Sequence, residues 1–478
     1  MITAEEILKF IENDRISPLK VQAQTGMRYF EGEHDIKQHR IFYYDSDEHL
    51  VEDKYRTNVR ISHPFFPELV LQATNYLVPG KEQFVKADDP VLQCELDEYF
   101  DNGFRYEVKE LLNNVQIGGY SYVYRYADGE GNSRFEHADG QGVIEVPGKF
   151  TSDGLDYVIY YYTDQMLDKD GKKTDVEKVQ VWDSQQTHFF IIVDSKIEKD
   201  TKQEINPRPH VIYREGGELY CEAFDEIPFY RMDNNQKRTS ELKLIKDLID
   251  DYDIHACSLT NDIQDFAQAI YVVKNFAGDD LDKLQKTIKA KKIVGVDEQG
   301  GVDIKTVDIP YEARQVKLKY NRENIHRFGM GFDSTQLGDG HITNVVIKSR
   351  YTLLDLKCNR LESRLRSLME KLIEIALDEV NGRLETAYTL KDVYMEFDRT
   401  MITNELDNAN TRLVEANEKQ ALIDAALTSS EYLKDEQIME FIGNALDIDV
   451  SENDLETLRA TKTDLLVQAR LLGGMTND

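Results

Sequence analysis

Leu354, Cys358, Leu361, Leu365, Leu368, Leu372 and Ile375 are separated by alternating steps of four and three residues. That spacing holds one apolar seam along a helix for three heptads, so the helix must pack lengthwise against other helices. It is predicted to open at Thr343 or Asn344 and to reach Val380, where Asn381-Gly382 stops it. A second long stripe lies upstream. Ser240 reads as an N-cap, and Ile245, Leu248, Ile249, Tyr252, Leu259, Ile263 and Phe266 keep a 3–4 spacing behind it. A third helix is expected over Tyr311–Phe328.

Between these helices the period changes. From Tyr120 to about Tyr230 short β-type runs ("YSYVYRYA", "LDYVIYYYT", "THFFIIVD", "PHVIYRE", "GELYCEAF") alternate with Asp/Gly turns, giving an antiparallel region. The residues before it read as helices: "AEEILKFIEND", "HPFFPELVLQATNYL", and a single long one over "DPVLQCELDEYFDNGFRYEVKELLNNVQIGG". After Phe266 comes a compact insert of strand, lysine-rich helix and two strands. "VYMEFD" is a strand, and the residues from Thr403 onward read as all-helical, with 16 acidic against 6 basic side chains. The fold class is therefore α+β, mainly helical, and 478 residues suit two to four modules.

The formal charge of −31, from 58 basic and 89 acidic residues, disfavours a protein that grips duplex DNA by its phosphates. It is compatible with one that handles DNA without sticking to it. The four cysteines lie more than 35 residues apart, without a CxxC or Cys/His pair, so neither a zinc cage nor a disulfide framework is expected. "MITAEEILKFIEND" is not a signal peptide, and no apolar run approaches the roughly 20 residues that span a bilayer. A soluble intracellular protein is expected, with no membrane, cofactor or metal.

Catalytic signatures are absent: there is no P-loop, GxSxG, HExxH, EF-hand or GxGxxG. The sharpest candidate is "DDYDIHACSLTND", where Asp251, His255 and Asp262 share a helical stripe that could offer a metal an O/N/O face and support a nuclease or phosphodiesterase. The alternative is that these aspartates form the wet side of an amphipathic helix. That reading is preferred, because no second acid/His cluster shares the spacing and nothing nearby resembles a nucleophile. Cys257 reads as a packing residue. Two local charge reversals stand out instead. "ARQVKLKYNRENIHR" carries Arg314, Lys317, Lys319, Arg322, His326 and Arg327, and "KLQKTIKAKK" carries Lys283, Lys286, Lys289, Lys291 and Lys292. Internal or inter-subunit salt bridges and contact with DNA phosphate or an acidic partner are both open for them.

The order of elements, together with the stretches "YFEGEHDI", "NVRISHPFFPELVLQATNYLVPG", "EIPFYRMDNN", "LIDDYDIHACSLTNDIQDFAQAIYVVKN" and "YTLLDLKCNRLE", resembles the portal proteins of tailed bacteriophages, in the siphophage branch of Gram-positive hosts. The resemblance implies a dodecameric ring at one capsid vertex that serves genome packaging, retention and ejection and hydrolyses nothing. It implies a wing at residues 1–237, stem helices at 238–266 and 311–328, and a clip at 267–310. A tunnel loop at 329–342, a long wing helix and strand at 343–402, and a crown at 403–478 complete it. Asp333, Gln336, Leu337, Asp339 and His341 of the loop, with the basic residues of 314–327, would face double-stranded DNA in the channel. The five clip lysines would face the head-completion adaptor or the terminase. Major capsid and scaffolding proteins are the further implied partners, with the virion, and the host cytoplasm during assembly, as locations.

Overall fold

The computed structural model describes residues 2–148, 154–167, 173–266, 270–274, 301–305, 311–333 and 344–399, except positions 46, 55, 81, 82, 216, 217, 225 and 398, together with 416–425, 428, 437 and 438. The chain divides into two compact units, Met1–Thr335 with Tyr351–Thr400, and Gln336–Arg350 with Met401–Asp478. In the second, residues 344–350 and 416–425 are helical. The clip lysines Lys283, Lys286, Lys289, Lys291 and Lys292, and most of the expected crown, lie outside the described residues.

Helices α1 (Ala4–Arg15), α2 (Pro18–Phe30), α3 (Phe65–Leu77), α4 (Pro90–Tyr99) and α5 (Asn102–Gly118) precede the β region. Helices α6 (Lys246–Phe266), α7 (Tyr311–Phe328) and α8 (Asn344–Leu384) follow it. Their boundaries have local causes. Thr3 and Glu6 form a capping box at α1, and Ser17 caps α2 with Pro18 in its first turn. The expected single helix over 89–118 is two, because Asp101 caps the Phe104 N–H and starts α5 afresh. Helix α5 is capped by Gly119, whose φ is 94° and where an added Cβ would fall 2.2 Å from the Arg238 carbonyl oxygen, so a side chain is excluded. Helix α8 runs through Asn381-Gly382 to Leu384, so that expected stop does not operate.

The β region forms several antiparallel ladders. The largest is ordered 196–199, 186–193, 173–182, 155–167, 143–147, with 208–209 pairing beside 186–193. A three-stranded sheet sets Tyr120–Ala127 between Phe229–Asp233 and Ser133–Ala138. The β region therefore extends past Tyr230, to Asp233 within "EIPFYRMDNN". Ile7 and Ile11 of α1 pack on Val146, Ile159, Val179 and Val181 of the large sheet. Val393–Met395 pairs with Val85–Ala87, placing the expected strand after α8 beside the one that leads into α4.

The core fixes the long helices. Tyr29, Phe65, Phe66, Leu69, Val70, Ile117, Leu242, Ile245, Ile249 and Ile325 form one cluster that roots α6 and α7 among α2, α3 and α5. The α8 seam is buried from Leu354 to Leu372, yet Ile375 is only half-buried while Met369, Ile373, Ala376, Leu377 and Val380 are buried. A straight helix of 3.6 residues per turn drifts off a seven-residue repeat, and the buried stripe has moved accordingly.

Candidate functional site

Helix α6 leads into the strand Ile270–Lys274, which pairs antiparallel with Gly301–Lys305 before α7 begins. The two helices therefore run antiparallel, and charged side chains join them. Asp262 accepts from Arg314 at 2.5 Å, and Asp251 accepts from Lys317 at 2.7 Å and Asn321 at 2.6 Å. Burial opposes the charge on Asp251, but the hydrogen bonds from Lys317 and Asn321 prevail and hold its carboxyl below the usual range.

A second face of α6 carries an extended segment, residues 57–63, along its length. Every second residue of that strap meets every fourth residue of the helix. Thr57 donates to Asp265 through its N–H (3.3 Å) and its hydroxyl (2.6 Å). The Val59 N–H donates to Asn261 Oδ1 (2.7 Å), the Ile61 N–H to Cys257 Sγ (3.2 Å) and the His63 N–H to Asp253 Oδ1 (3.0 Å). The match is geometric: two extended residues advance about 6.6 Å and four helical residues about 6.0 Å. Side chains of α6 thus serve the strap as a neighbouring strand would, accepting from its backbone N–H groups. Arg56 closes the far end on Asp262 (3.1 Å) and Asp265 (3.5 Å).

Asp253 anchors the near end and is 0% exposed. His34 Nδ1 and His63 Nδ1 each lie 2.7 Å from its carboxylate oxygens, and His34 Nε2 is 3.2 Å from the Tyr29 carbonyl oxygen. Burial works against the Asp253 charge, yet the two histidines outweigh it and keep its carboxyl below the ordinary range. Tyr29 stacks on His34 at 4.5 Å and donates its hydroxyl to Asp250. Lys246 bridges Asp250 (2.7 Å) and Asp35 (2.6 Å). Burial again opposes the charge on Asp35, but Lys246 and Arg28 draw its carboxyl down to about 2. Tyr29, His34 and Asp35 of "YFEGEHDI" and His63 of "ISHPFF" thus converge on "LIDDYDIHACSLTND".

This arrangement corrects the expectation of a wet aspartate face. Asp253, Asn261 and Asp262 are buried, and the stripe that matters is Asp253, Cys257, Asn261 and Asp265. Nor does the structure favour an open metal face on Asp251, His255 and Asp262, whose carboxylates are occupied by Lys317, Arg314 and Arg56. His255 Nε2 lies 3.3 Å from Asp251, half-exposed. Cys257 is buried and its thiol is pushed up by that burial, as a packing residue should be. Among the described residues Asp45, Asp47 and His49 form a trio with metal-ligand spacing. Asp45 already accepts from the N–H groups of Asp47 and His49 there, which is a turn.

The basic helix divides in the same way. Arg314 and Lys317 hold α6, and Arg322 pairs with Asp333 at 3.1 Å. His326 is 3% exposed, edge-on to Phe65 and 3.7 Å from Glu68. Burial disfavours its charge, but Glu68 and the Arg322 carbonyl raise its pKa overall. Lys319 and Arg327 remain exposed, without an ion pair among the described residues. Phe332 and Asp333, within the segment expected as the channel loop, are held by neighbouring side chains. Gln72 donates to the Phe332 carbonyl (2.8 Å) and accepts its N–H (2.7 Å), and Phe332 stacks on Tyr351 at 4.8 Å. Asp333 is held against Arg322. Gln336, Leu337, Asp339 and His341 lie outside the described residues.

Carboxylates matched to cations, a strapped helix and a root in the core define a structural scaffold braced around a helix pair. The family described as phage portal protein, SPP1 Gp6-like, matches residues 13–426, and the chain belongs to that family. It is 26% identical over 465 residues to the portal protein of Bacillus phage SPP1, covering 94% of this chain and 90% of that one. It is 25% identical over 402 residues to the portal protein of Clostridium phage phiCD119, covering 80% and 83%. A solved structure described as the neck of a native GTA particle computed with C12 symmetry aligns with a TM-score of 0.37 at 12% identity, over 81% of this chain and 91% of that one. No helix among the described residues is long and apolar enough to cross a membrane.

Proposed function

We propose that this portal protein, a head–tail connector component of a phage virion, works as the subunit of a dodecameric ring at the capsid vertex through which double-stranded DNA is packaged, retained and ejected. The observation that carries the reading is the antiparallel α6–α7 hairpin, rooted in the core at one end and joined by a strand pair at the other. In this reading residues 1–237 are the wing, 238–266 and 311–328 the stem, 267–310 the clip, 343–402 the long wing helix and strand, and 403–478 the crown.

The tunnel loop is then the part of 329–342 beyond Asp333, with Gln336, Leu337, Asp339 and His341 toward the channel. The contacts of Gln72 with Phe332 give that loop a fixed base. An acidic body repeated around a ring keeps duplex from adhering, which suits a conduit. Arg314, Lys317, Arg322 and His326 brace the stem rather than grip phosphate. The clip, with Lys283, Lys286, Lys289, Lys291 and Lys292, meets the adaptor and the terminase, and the chain itself hydrolyses nothing. Major capsid and scaffolding proteins contact it as it assembles in the host cytoplasm. Native mass spectrometry tests the reading: a ring of about twelve subunits is expected, and a strictly monomeric or dimeric chain at every concentration overturns it.

A further inference from the structure

The ribbon Phe42–Tyr44 and Leu50–Glu52 is a two-stranded hairpin attached to no other sheet among the described residues. Phe42, Tyr43, Tyr44, Leu50 and Val51 are 37–72% exposed, so neither face is covered. A lone hairpin of this kind is marginal in water, and its apolar side chains ask for a partner. Its tip carries Asp47 and Glu48, both exposed and without an ion pair among the described residues, with His49 beside them. Asp45 is spent on the turn.

The outer face of α7 has the complementary chemistry. Val316 and Tyr320 are 69% and 62% exposed on it. Lys319 and Arg327 are the basic side chains of α7 that hold no acid among the described residues, with Glu323 between them. From Val316 to Arg327 this stripe runs about 16 Å at 1.5 Å per residue, enough for the roughly 10 Å of a three-residue strand with the turn beyond it. Both surfaces belong to one compact unit and both stay open in it, so they do not meet within a single chain.

We infer that the hairpin of one copy docks on the outer face of α7 of a second copy. Phe42, Tyr44 and Leu50, which share one face of the ribbon, cover Val316 and Tyr320, and the tip acids pair with Lys319 and Arg327. The two surfaces differ, so the contact is heterologous and closes only as a ring. The inference rests on the proposed ring and assigns it an interface. It also gives the spare cations of the basic helix a role: they serve a neighbouring subunit and not the duplex.

Charge exchange tests it. Asp47→Lys with Glu48→Lys, and separately Lys319→Glu with Arg327→Glu, each raise the concentration needed for ring formation at least about tenfold, which is about 1.4 kcal/mol. Combining the four restores assembly. The residues are exposed, so folding is not at stake. As a second readout, Asp47→Cys with Arg327→Cys, in a chain whose exposed Cys94 and Cys221 are serines, gives an inter-subunit disulfide ladder on oxidation. Normal assembly of either reversed pair, failure of the combination to rescue, or no ladder overturns the interface while the wild-type ring stands. So does a Lys319→Glu/Arg327→Glu ring that assembles normally and loses DNA retention instead. A wild-type chain that forms no ring overturns both this interface and the ring reading.

Discussion

Asp253→Ala removes the one carboxylate that holds His34, His63 and the near end of the strap. Asp253 accepts three contacts of 2.7–3.0 Å at a position with no solvent exposure. Hydrogen bonds to a charged group contribute about 1.5–3 kcal/mol each, and stripping one partner from a buried pair costs about 3–5 kcal/mol. The larger figure is not additive with the smaller, so about 3–5 kcal/mol is expected for the strap as a unit. Hydrogen exchange reads that locally, at the Val59, Ile61 and His63 amides, which donate to α6. At about 1.4 kcal/mol per factor of ten, exchange of these amides should accelerate roughly 100-fold or more, provided they open together. The pH dependence has a definite sign. The folded Asp253 carboxyl lies below its unfolded value of about 3.9, so its contribution is present above that pH and is lost as pH falls through the folded value. Acid should therefore loosen the strap in the wild type, and Asp253→Asn should lack that part of the response. Unchanged protection of the strap in Asp253→Ala would show that Asp253 is not its anchor.

The same contacts lead to further expectations. A Cβ on Gly331 would sit 2.1 Å from Leu69 Cδ2 and 2.9 Å from Gln72 Oε1, so Gly331→Ala should cost about 1–3 kcal/mol and speed proteolysis within 329–342. Lys317→Glu places an acid against Asp251, and Arg322→Glu one against Asp333. Both should raise amide exchange along α6 and α7, and Asp251→Lys should compensate Lys317→Glu. Loss of DNA retention with a fully protected helix pair would instead return these cations to the duplex. Incubation with Mg²⁺ or Mn²⁺ and duplex DNA should give no cleavage, and His255→Ala should change nothing.

Much of the architecture could be read from periodicity. The strands that follow α6 and precede α7, and the α8 seam as far as Leu372, rest on spacings that packing leaves intact. The break between α4 and α5 could not, because apolar positions continue across Phe100 and only the Asp101 cap marks it. The polar face of α6 was read the wrong way round for a physical reason. A helical wheel shows which residues share a side, but not whether another segment lies over it. Residues 57–63 have no helical or strand pairing of their own to announce them. The available signal was the four-residue spacing of Asp253, Cys257, Asn261 and Asp265, all able to accept from backbone N–H groups. His34 and His63 carried the family resemblance without disclosing that both end on Asp253.

Electron microscopy of the purified chain tests most directly whether the braced α6–α7 pair is the wall of a ring-shaped conduit. Class averages should show rings of about twelve subunits with an axial hole, in which α6 and α7 line the narrow part. Particles without a central channel, or rings whose hole is lined by another part of the chain, would contradict that assignment.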